Sequence, residues 1–357
     1  MVAKSKRILV AGGAGYIGSH FCHLANLKGF QPIVLDRIES TSSKVMNYRR
    51  SISDHFALIE GNISDVKLVS DICDNFKPVA AVCFAADIEV GESEKNPDKY
   101  WQNNFYNATK FLSTLNLNGI NKVIFSSTAA TYGNPKQDEQ LLESSLLSPI
   151  NVYGKTKLAT EIFLQGIKPN ISQSFLNENA SHLAHLKSLP KHNIISGIFR
   201  YFNAAGALPS LKLGEVHEPE THLIPNAINY ALNKHEHKFS IFGNDYPTRD
   251  GTCIRDYLHV KDIALAHIAG LEHLLTRKSN FLANLGTGHG NSINEVWQAI
   301  SKHTKSKKVP EYSERRVGDP NQLIANASEA KKLFNWTPKE DLDSIILDAI
   351  AFHKDYD

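Results

Sequence analysis

The 357 residues, 42% hydrophobic and 21% charged, suffice for one large α/β unit and a smaller lobe around a sizeable core. Lys and Arg total 39 against 37 Asp and Glu, and a net charge of +2 gives no overall field to draw the chain onto nucleic acid or an anionic membrane. The apolar run before the first glycines is too short for a signal peptide and far below the roughly 20 residues of a spanning helix, so a cytoplasmic protein is expected.

In chain order, apolar runs at 7–11, 32–35, 57–60, 80–84 and 122–127 read as strands, with helical patterns between them. Strands of that kind alternating with helices predict a doubly wound parallel (Rossmann) α/β sheet covered on both faces. Helices are predicted over 103–117 and 151–165. The stretch 168–193, rich in His and Asn, lacks an apolar period and reads as a surface insertion. Further strands follow at 194–201 and 281–285. From 203 the segments become rich in Gly, Pro and polar residues, which suggests a smaller C-terminal substrate-binding lobe. The expected division is 1–202 for dinucleotide binding and 203–357 for substrate, with about 258–290, including a helix at 260–275, returning to the first domain. Four cysteines, Cys22, Cys73, Cys83 and Cys253, have no C-x-x-C spacing and read as free thiols.

Gly12, Gly15 and Gly18 follow the first strand and open a helix, a spacing that lets backbone turn tightly and approach a pyrophosphate at a helix N-terminus. Asp36 ends the second strand about 20 residues on, where a carboxylate bonds both ribose hydroxyls of NAD and repels the 2′-phosphate of NADP. Arg37, directly after it, is the competing sign for NADP. Tyr153 and Lys157 stand four apart on one helix face, so the ammonium can favour the phenolate and make the tyrosine a base near neutral pH. A solvated Tyr/Lys pair has the same spacing; the preceding Rossmann half decides between them. The strand at 122–127 runs into hydroxyl residues, with Ser126 on the cofactor side and Thr128 placed to share a proton between substrate and Tyr153.

These motifs occur in the order expected of short-chain dehydrogenases, and the sequence resembles the UDP-galactose 4-epimerase family over nearly its whole length. The resemblance is carried by GGAGYIGSH from Gly12, EVGES from Glu89, FSSTAATYG from Phe125, RYFNAAGA from Arg200, FGNDYPTRDGTCIRDYLHV from Phe242, NLGTGHGNS from Asn284 and the Arg315–Pro320 motif. It implies an NAD-dependent isomerase that interconverts UDP-glucose and UDP-galactose by transient oxidation at C4. It also implies cofactor contacts from Tyr16, Ile17, Asn62, Ile63, Phe84, Ala85, Ala86, Asn103, Tyr153, Lys157 and Phe202. On the substrate side it implies Thr128, Tyr153, Asn203, His222, Leu223, Phe242, Arg255, Arg316, Asp319 and Leu323, with the arginines on the diphosphate and Asp319 on a ribose hydroxyl. A homodimer through the helices at 103–117 and 153–164 is a further implication.

Three positions depart from the family pattern. Asn62 stands where an aspartate is common, Ile88 where a lysine reaches the cofactor ribose, and Leu323 where some members carry tyrosine at the sugar pocket. The last implies room for N-acetyl sugars. A nucleotide-sugar 4,6-dehydratase is disfavoured because Ala129 and Ala130, which cannot move a proton, follow Thr128. A UDP-uronate 4-epimerase and a non-catalytic NAD-binding protein remain as alternatives. His182 with His185, and His235 with His237, suggest metal ligands but lack third and fourth partners and read as surface histidines; Lys302, Lys305, Lys307 and Lys308 read as a solvated face.

Overall fold

The apolar runs meet in one seven-stranded sheet, and its strand order explains where a ligand can enter. The structure is a computed structural model that describes residues 6–39, 42–135, 139–234, 239–316 and 319–356. It begins Lys6–Ala11 (β1), Tyr16–Leu27 (α1), Phe30–Asp36 (β2), Ser43–Arg50 (α2), Ala57–Glu60 (β3), Val66–Phe76 (α3), Ala80–Cys83 (β4), Val90–Lys95 (α4), Pro97–Tyr100 (α5) and Ala108–Leu117 (α6). Next come Lys122–Thr128 (β5), Gln140–Leu141 (β6), Val152–Gln165 (α7), Gln173–Glu178 (α8), Ala180–Ala184 (α9), Ile195–Tyr201 (β7), Asn203–Ala205 (β8), Leu223–Ala231 (α10) and Ser240–Phe242 (β9). The rest is Ile254–Arg255 (β10), Tyr257–His259 (β11), Val260–Arg277 (α11), Phe281–Leu285 (β12), Asn291–Ser292 (β13), Ile293–Thr304 (α12), Glu311–Ser313 (β14), Gln322–Ala325 (β15), Ser328–Phe334 (α13) and Leu342–Asp355 (α14).

Two compact units emerge. The first holds Met1–Gly133, Ser144–Arg200 and Ala264–Ala283; the second holds Asn134–Glu143, Tyr201–Ile263 and Asn284–Asp357. In the first, the sheet order is β12-β7-β5-β4-β1-β2-β3, and β1 lies parallel to both β2 and β4. Chain order runs outward from β1 through β2 to β3, then crosses to β4 and runs the other way. The loops after β1 and β4 therefore flank the crevice where doubly wound sheets bind ligands. Ile8 to Ala11 are fully buried, as a strand covered on both faces requires. The second unit has a four-stranded sheet, β13-β10-β15-β6, and its own core around Ile228, Trp297, Ile300 and Ile346.

The insertion at 168–193 is more ordered than its composition suggests. It forms α8, α9 and a 3₁₀ turn, and His182 stacks on Trp101 with ring centroids 3.7 Å apart while its Nδ1 meets the Tyr106 hydroxyl at 2.9 Å. Leu183 and Leu186 pack with Trp101, Phe105 and Ala159. On the helices of the expected dimer face no residue of 153–164 is exposed, and along 101–117 only Gln102, Lys110 and Leu117 are. His182 and His185 serve packing; His235 and His237 lie outside the described residues.

Helix α7 is thus buried along nearly its whole length, and its acidic residue needs a partner inside the protein. Arg200 on β7, 1% exposed, grips Glu161 with Nη2 at 2.5 Å and Nε at 3.0 Å, and its Nη1 donates to the Tyr132 hydroxyl at 3.1 Å. Ser127 of β5 donates to the same carboxylate. Removing one partner leaves a buried charge unmatched, whereas replacing both with apolar groups removes the desolvation cost as well. Arg200→Met should lower unfolding free energy by about 3–5 kcal/mol, and adding Glu161→Leu should restore much of that loss. Urea unfolding followed by circular dichroism measures both; losses that simply add would contradict the pairing.

Candidate active site

The three glycines of the first turn answer different demands. Gly12 has φ +78°, and a Cβ there would lie 2.5 Å from the Ala85 nitrogen across the crevice. A Cβ at Gly18 would lie 2.1 Å from the Gly12 carbonyl oxygen, so this glycine lets α1 sit against the turn. At Gly15 a Cβ would meet nothing closer than the Gly12 oxygen at 3.4 Å, so the protein's own packing leaves that side open. Gly15 is also the N-cap of α1 and offers no side-chain cap to the helix's first N–H groups. Open space beside uncapped donors fits a pyrophosphate approaching the backbone, with Tyr16 and Ile17 opening the helix at the same place.

Asp36 closes β2, and its carboxylate accepts the Ala14 N–H at 2.8 Å, which ties the glycine turn to the ribose position. Burial pushes this carboxyl up against the opposing pull of the Ala14 hydrogen bond and of Arg49 and Arg37. Arg37 faces Glu39 at 3.8 Å and Asp87 at 3.7 Å, so acids already surround the cation that a 2′-phosphate would need. Phe84 and Ala85 both donate backbone N–H groups to the Ala11 carbonyl, placing the strip from Phe84 to Ala86 beside the turn. Asn62 caps its own turn by accepting the Ser64 N–H at 2.9 Å; Ile63, next to it, is in the core. Asn103 lies in a π-helical turn, Trp101–Asn107, a feature often found at functional sites. Ile88 is 39% exposed and offers no donor.

The proton-handling residues meet where α7 crosses β5. Thr128 Oγ1 accepts the Ala130 N–H at 3.1 Å, which leaves its own proton to donate, and it hydrogen bonds Tyr153. Burial pushes the Tyr153 phenol up to about 12, only partly offset by Thr128. Burial also lowers Lys157 to about 8, and its Nζ donates to the Ser126 carbonyl at 2.9 Å. The expected depression of the tyrosine by the lysine is therefore not made by these side chains alone, because desolvation of the phenolate is the larger effect. The Ser126 hydroxyl is buried against His267 Nε2 at 3.0 Å, while its carbonyl accepts from Lys157.

Apart from Thr128 and Tyr153, the residues expected on the substrate side belong to the second unit. Arg255 donates to Asp319 at 2.9 Å, so the two residues assigned to diphosphate and ribose hold each other. The Arg316 guanidinium lies 4.1 Å from the centre of the Phe242 ring. On the small sheet Arg255 pairs with Leu323, while Ile254 and Gln322, one residue away on each strand, turn to a cleft of about 620 Å³ on the other face. Side chains alternate along strands, which puts Leu323, 9% exposed, on the Arg255 face. His222 and Leu223 open α10; Phe202 donates its N–H to the Leu285 carbonyl, and Asn203 to that of Asp256.

Several positioning residues escape a sequence reading. The first N–H groups of α7 go to Glu94 from Val152 at 2.7 Å, to Ser93 from Tyr153 at 3.2 Å and to the Asn151 cap from Gly154 at 2.8 Å. The stretch from Glu89 to Glu94 thus sets the entry angle of the tyrosine. A Cβ on Gly154 would lie 2.6 Å from the Ala130 carbonyl, so only glycine permits this crossing. Asn104 exchanges two hydrogen bonds of 2.8 Å with the backbone of Asp87, fixing the loop after β4. Only the Asn151-x-x-Gly154 cap left a local signal. Glu215, His217 and Glu220 cluster with His222, a pattern visible as E-x-H-x-x-E-x-H but not singled out by the sequence.

Residues 8–286 match the model of the NAD dependent epimerase/dehydratase family. A UDP-glucose 4-epimerase of Rhizobium meliloti is 39% identical over 354 residues, covering 98% of each chain. Among solved structures, UDP-glucose 4-epimerase from Brucella ovis in complex with NAD has a TM-score of 0.82 at 37% identity, over 97% of this chain and 98% of its own. The UDP-Glc/GlcNAc 4-epimerase from Campylobacter jejuni has a TM-score of 0.75 at 39% identity, over 98% of this chain and 100% of its own.

Asp36→Ala should weaken NAD binding by about tenfold or more and shrink the preference over NADP, since a charge-assisted bond and a repulsion are removed together. Fluorescence titration of the cofactor-stripped chain with each dinucleotide reads this out. Equal NAD affinity in both proteins would refute the assignment.

Proposed function

Because this chain belongs to the NAD dependent epimerase/dehydratase family, we propose that it is a UDP-hexose 4-epimerase, interconverting UDP-glucose and UDP-galactose and also the corresponding N-acetylhexosamine pair. The observation that carries this reading is the buried Thr128–Tyr153–Lys157 cluster in the same unit as the open glycine turn. The first unit is then the NAD-binding domain and the second the substrate-binding domain. Ala129 and Ala130 after Thr128 offer no group for water elimination, which speaks against a dehydratase.

When bound, NAD supplies the hydride acceptor for the sugar's C4. The chain's own residues manage the proton. Thr128 holds the 4-hydroxyl against Tyr153, and Tyr153 takes the proton as C4 becomes a ketone, then returns it after the sugar has turned its other face. A phenol held at about 12 keeps its proton at neutral pH, so it becomes a base only when further positive charge arrives beside it. A charged Lys157 supplies part of that charge, and the oxidised nicotinamide would add to it when bound. Arg255 and Arg316 take the diphosphate, with Arg255 exchanging Asp319 for phosphate and Asp319 turning to a ribose hydroxyl.

We propose that the chain pairs as a homodimer through the helices at 103–117 and 153–164, beside the insertion that packs on Trp101, Phe105 and Ala159. A cytoplasmic location is supported by four cysteines that are all buried free thiols. No described helix is long and apolar enough to cross a membrane.

Tyr153→Phe should lower kcat by about 10²–10⁴ while UDP-sugar binding stays within a few fold, since only the proton acceptor is lost. NMR analysis of products from UDP-galactose measures it, and near-normal turnover would sink the role. Leu323→Tyr should suppress turnover of UDP-N-acetylgalactosamine selectively by filling the space near the sugar's C2 substituent. Equal losses with UDP-galactose would show that Leu323 only packs the wall.

A further inference from the structure

Between β8 and α10 the chain turns four potential ligand atoms toward one point. They come from Glu215, His217, Glu220 and His222, and all lie within 4.8 Å of one another. Glu215 Oε1 is 3.2 Å from His222 Nδ1 and 3.6 Å from His217 Nδ1; Glu220 reaches His222 Nδ1 at 2.9 Å and His217 Nδ1 at 3.7 Å. Four ligands around a tetrahedral ion with bonds of about 2.0–2.2 Å stand about 3.3–3.6 Å from their neighbours. The four carboxylate–imidazole spacings, with Glu220 turning a different oxygen to each histidine, lie around that value, and with all four donors within 4.8 Å of one another a modest side-chain contraction completes the tetrahedron.

Protein partners alone leave this cluster incompletely satisfied. Glu215 is 7% exposed, and its carboxylate shares this buried corner with that of Glu220. His217 Nδ1 is buried and has no hydrogen-bond partner among the described residues. A divalent cation answers both conditions, because it neutralises two carboxylates and accepts the lone pair of each Nδ1. Mixed imidazole and carboxylate ligands in a compact tetrahedron suit zinc; calcium and magnesium take oxygen ligands in larger numbers.

We propose that Glu215, His217, Glu220 and His222 form a structural zinc site that pins the segment leading into α10. The site closes a loop of eight residues, and through His222 it fixes the start of the helix that carries Leu223. The proposal stands on this donor set and does not depend on which reaction the chain catalyses.

The test uses the full chain purified without a histidine tag, stripped with a chelator and titrated with zinc and separately with cobalt. One equivalent of zinc per chain by mass spectrometry of the metal, a rise in Tm of about 2 °C or more at a hundredfold excess over Kd, and the intense visible bands of tetrahedral cobalt are expected. Glu215→Gln and His217→Gln should each lose stoichiometric metal while circular dichroism and NAD content remain those of a folded chain. Less than about a tenth of an equivalent in the unmutated chain at saturating zinc, or equal metal in chain and variants, would overturn the site. Should a variant fail to fold, stoichiometry and the cobalt spectrum of the unmutated chain decide the question by themselves.

Discussion

Helix α7 carries reactive side chains and has no water to solvate them, and the surrounding structure is organised to match its polar groups one by one. Glu161 is held by Arg200 and Ser127, Lys157 by the Ser126 carbonyl, and Thr160 by the Asn104 carbonyl at 3.1 Å. Each match joins α7 to a different piece: β7, β5 and the π-helical turn before α6. A buried ion pair is weak evidence for added stability, but breaking one is costly, so these contacts define one placement of the helix on the sheet. The 168–193 insertion adds Leu183 and Leu186 against Trp101, Phe105 and Ala159, and burial raises Tyr153 and lowers Lys157.

That burial has a chemical consequence. In so buried a place the phenolate of Tyr153 is disfavoured, while Lys157, lowered to about 8, is still largely protonated at neutral pH. In the second unit Arg255 and Asp319 form an ion pair at 2.9 Å.

Much of this was legible in the sequence because it is written locally. The strands 57–60 and 281–285 coincide with β3 and β12, and the glycine turn and Asp36 fall where a βαβ unit puts them. What escaped was set by distant contacts. Nothing near Ser126 in the sequence points to its partner His267, which is 141 residues away. Glu161 gives no sign that Arg200 waits 39 residues later on β7, and Glu94 and Ser93 cap a helix that begins some sixty residues beyond them. The insertion carries too few apolar residues to show a period, and it docks through imidazole stacking instead. The Glu215–His222 cluster was readable as spacing, but only folding shows that four donors converge.

The most direct test of the account is the fate of the C4 hydrogen when UDP-galactose is turned over in heavy water. The account predicts UDP-glucose with its original hydrogen at C4 and no deuterium at any ring carbon, because the hydride that leaves C4 returns to it inside a site that excludes solvent, and Tyr153 exchanges only the hydroxyl proton. Deuterium at C4 or C5 in the product, or failure to form UDP-glucose at all, would contradict it.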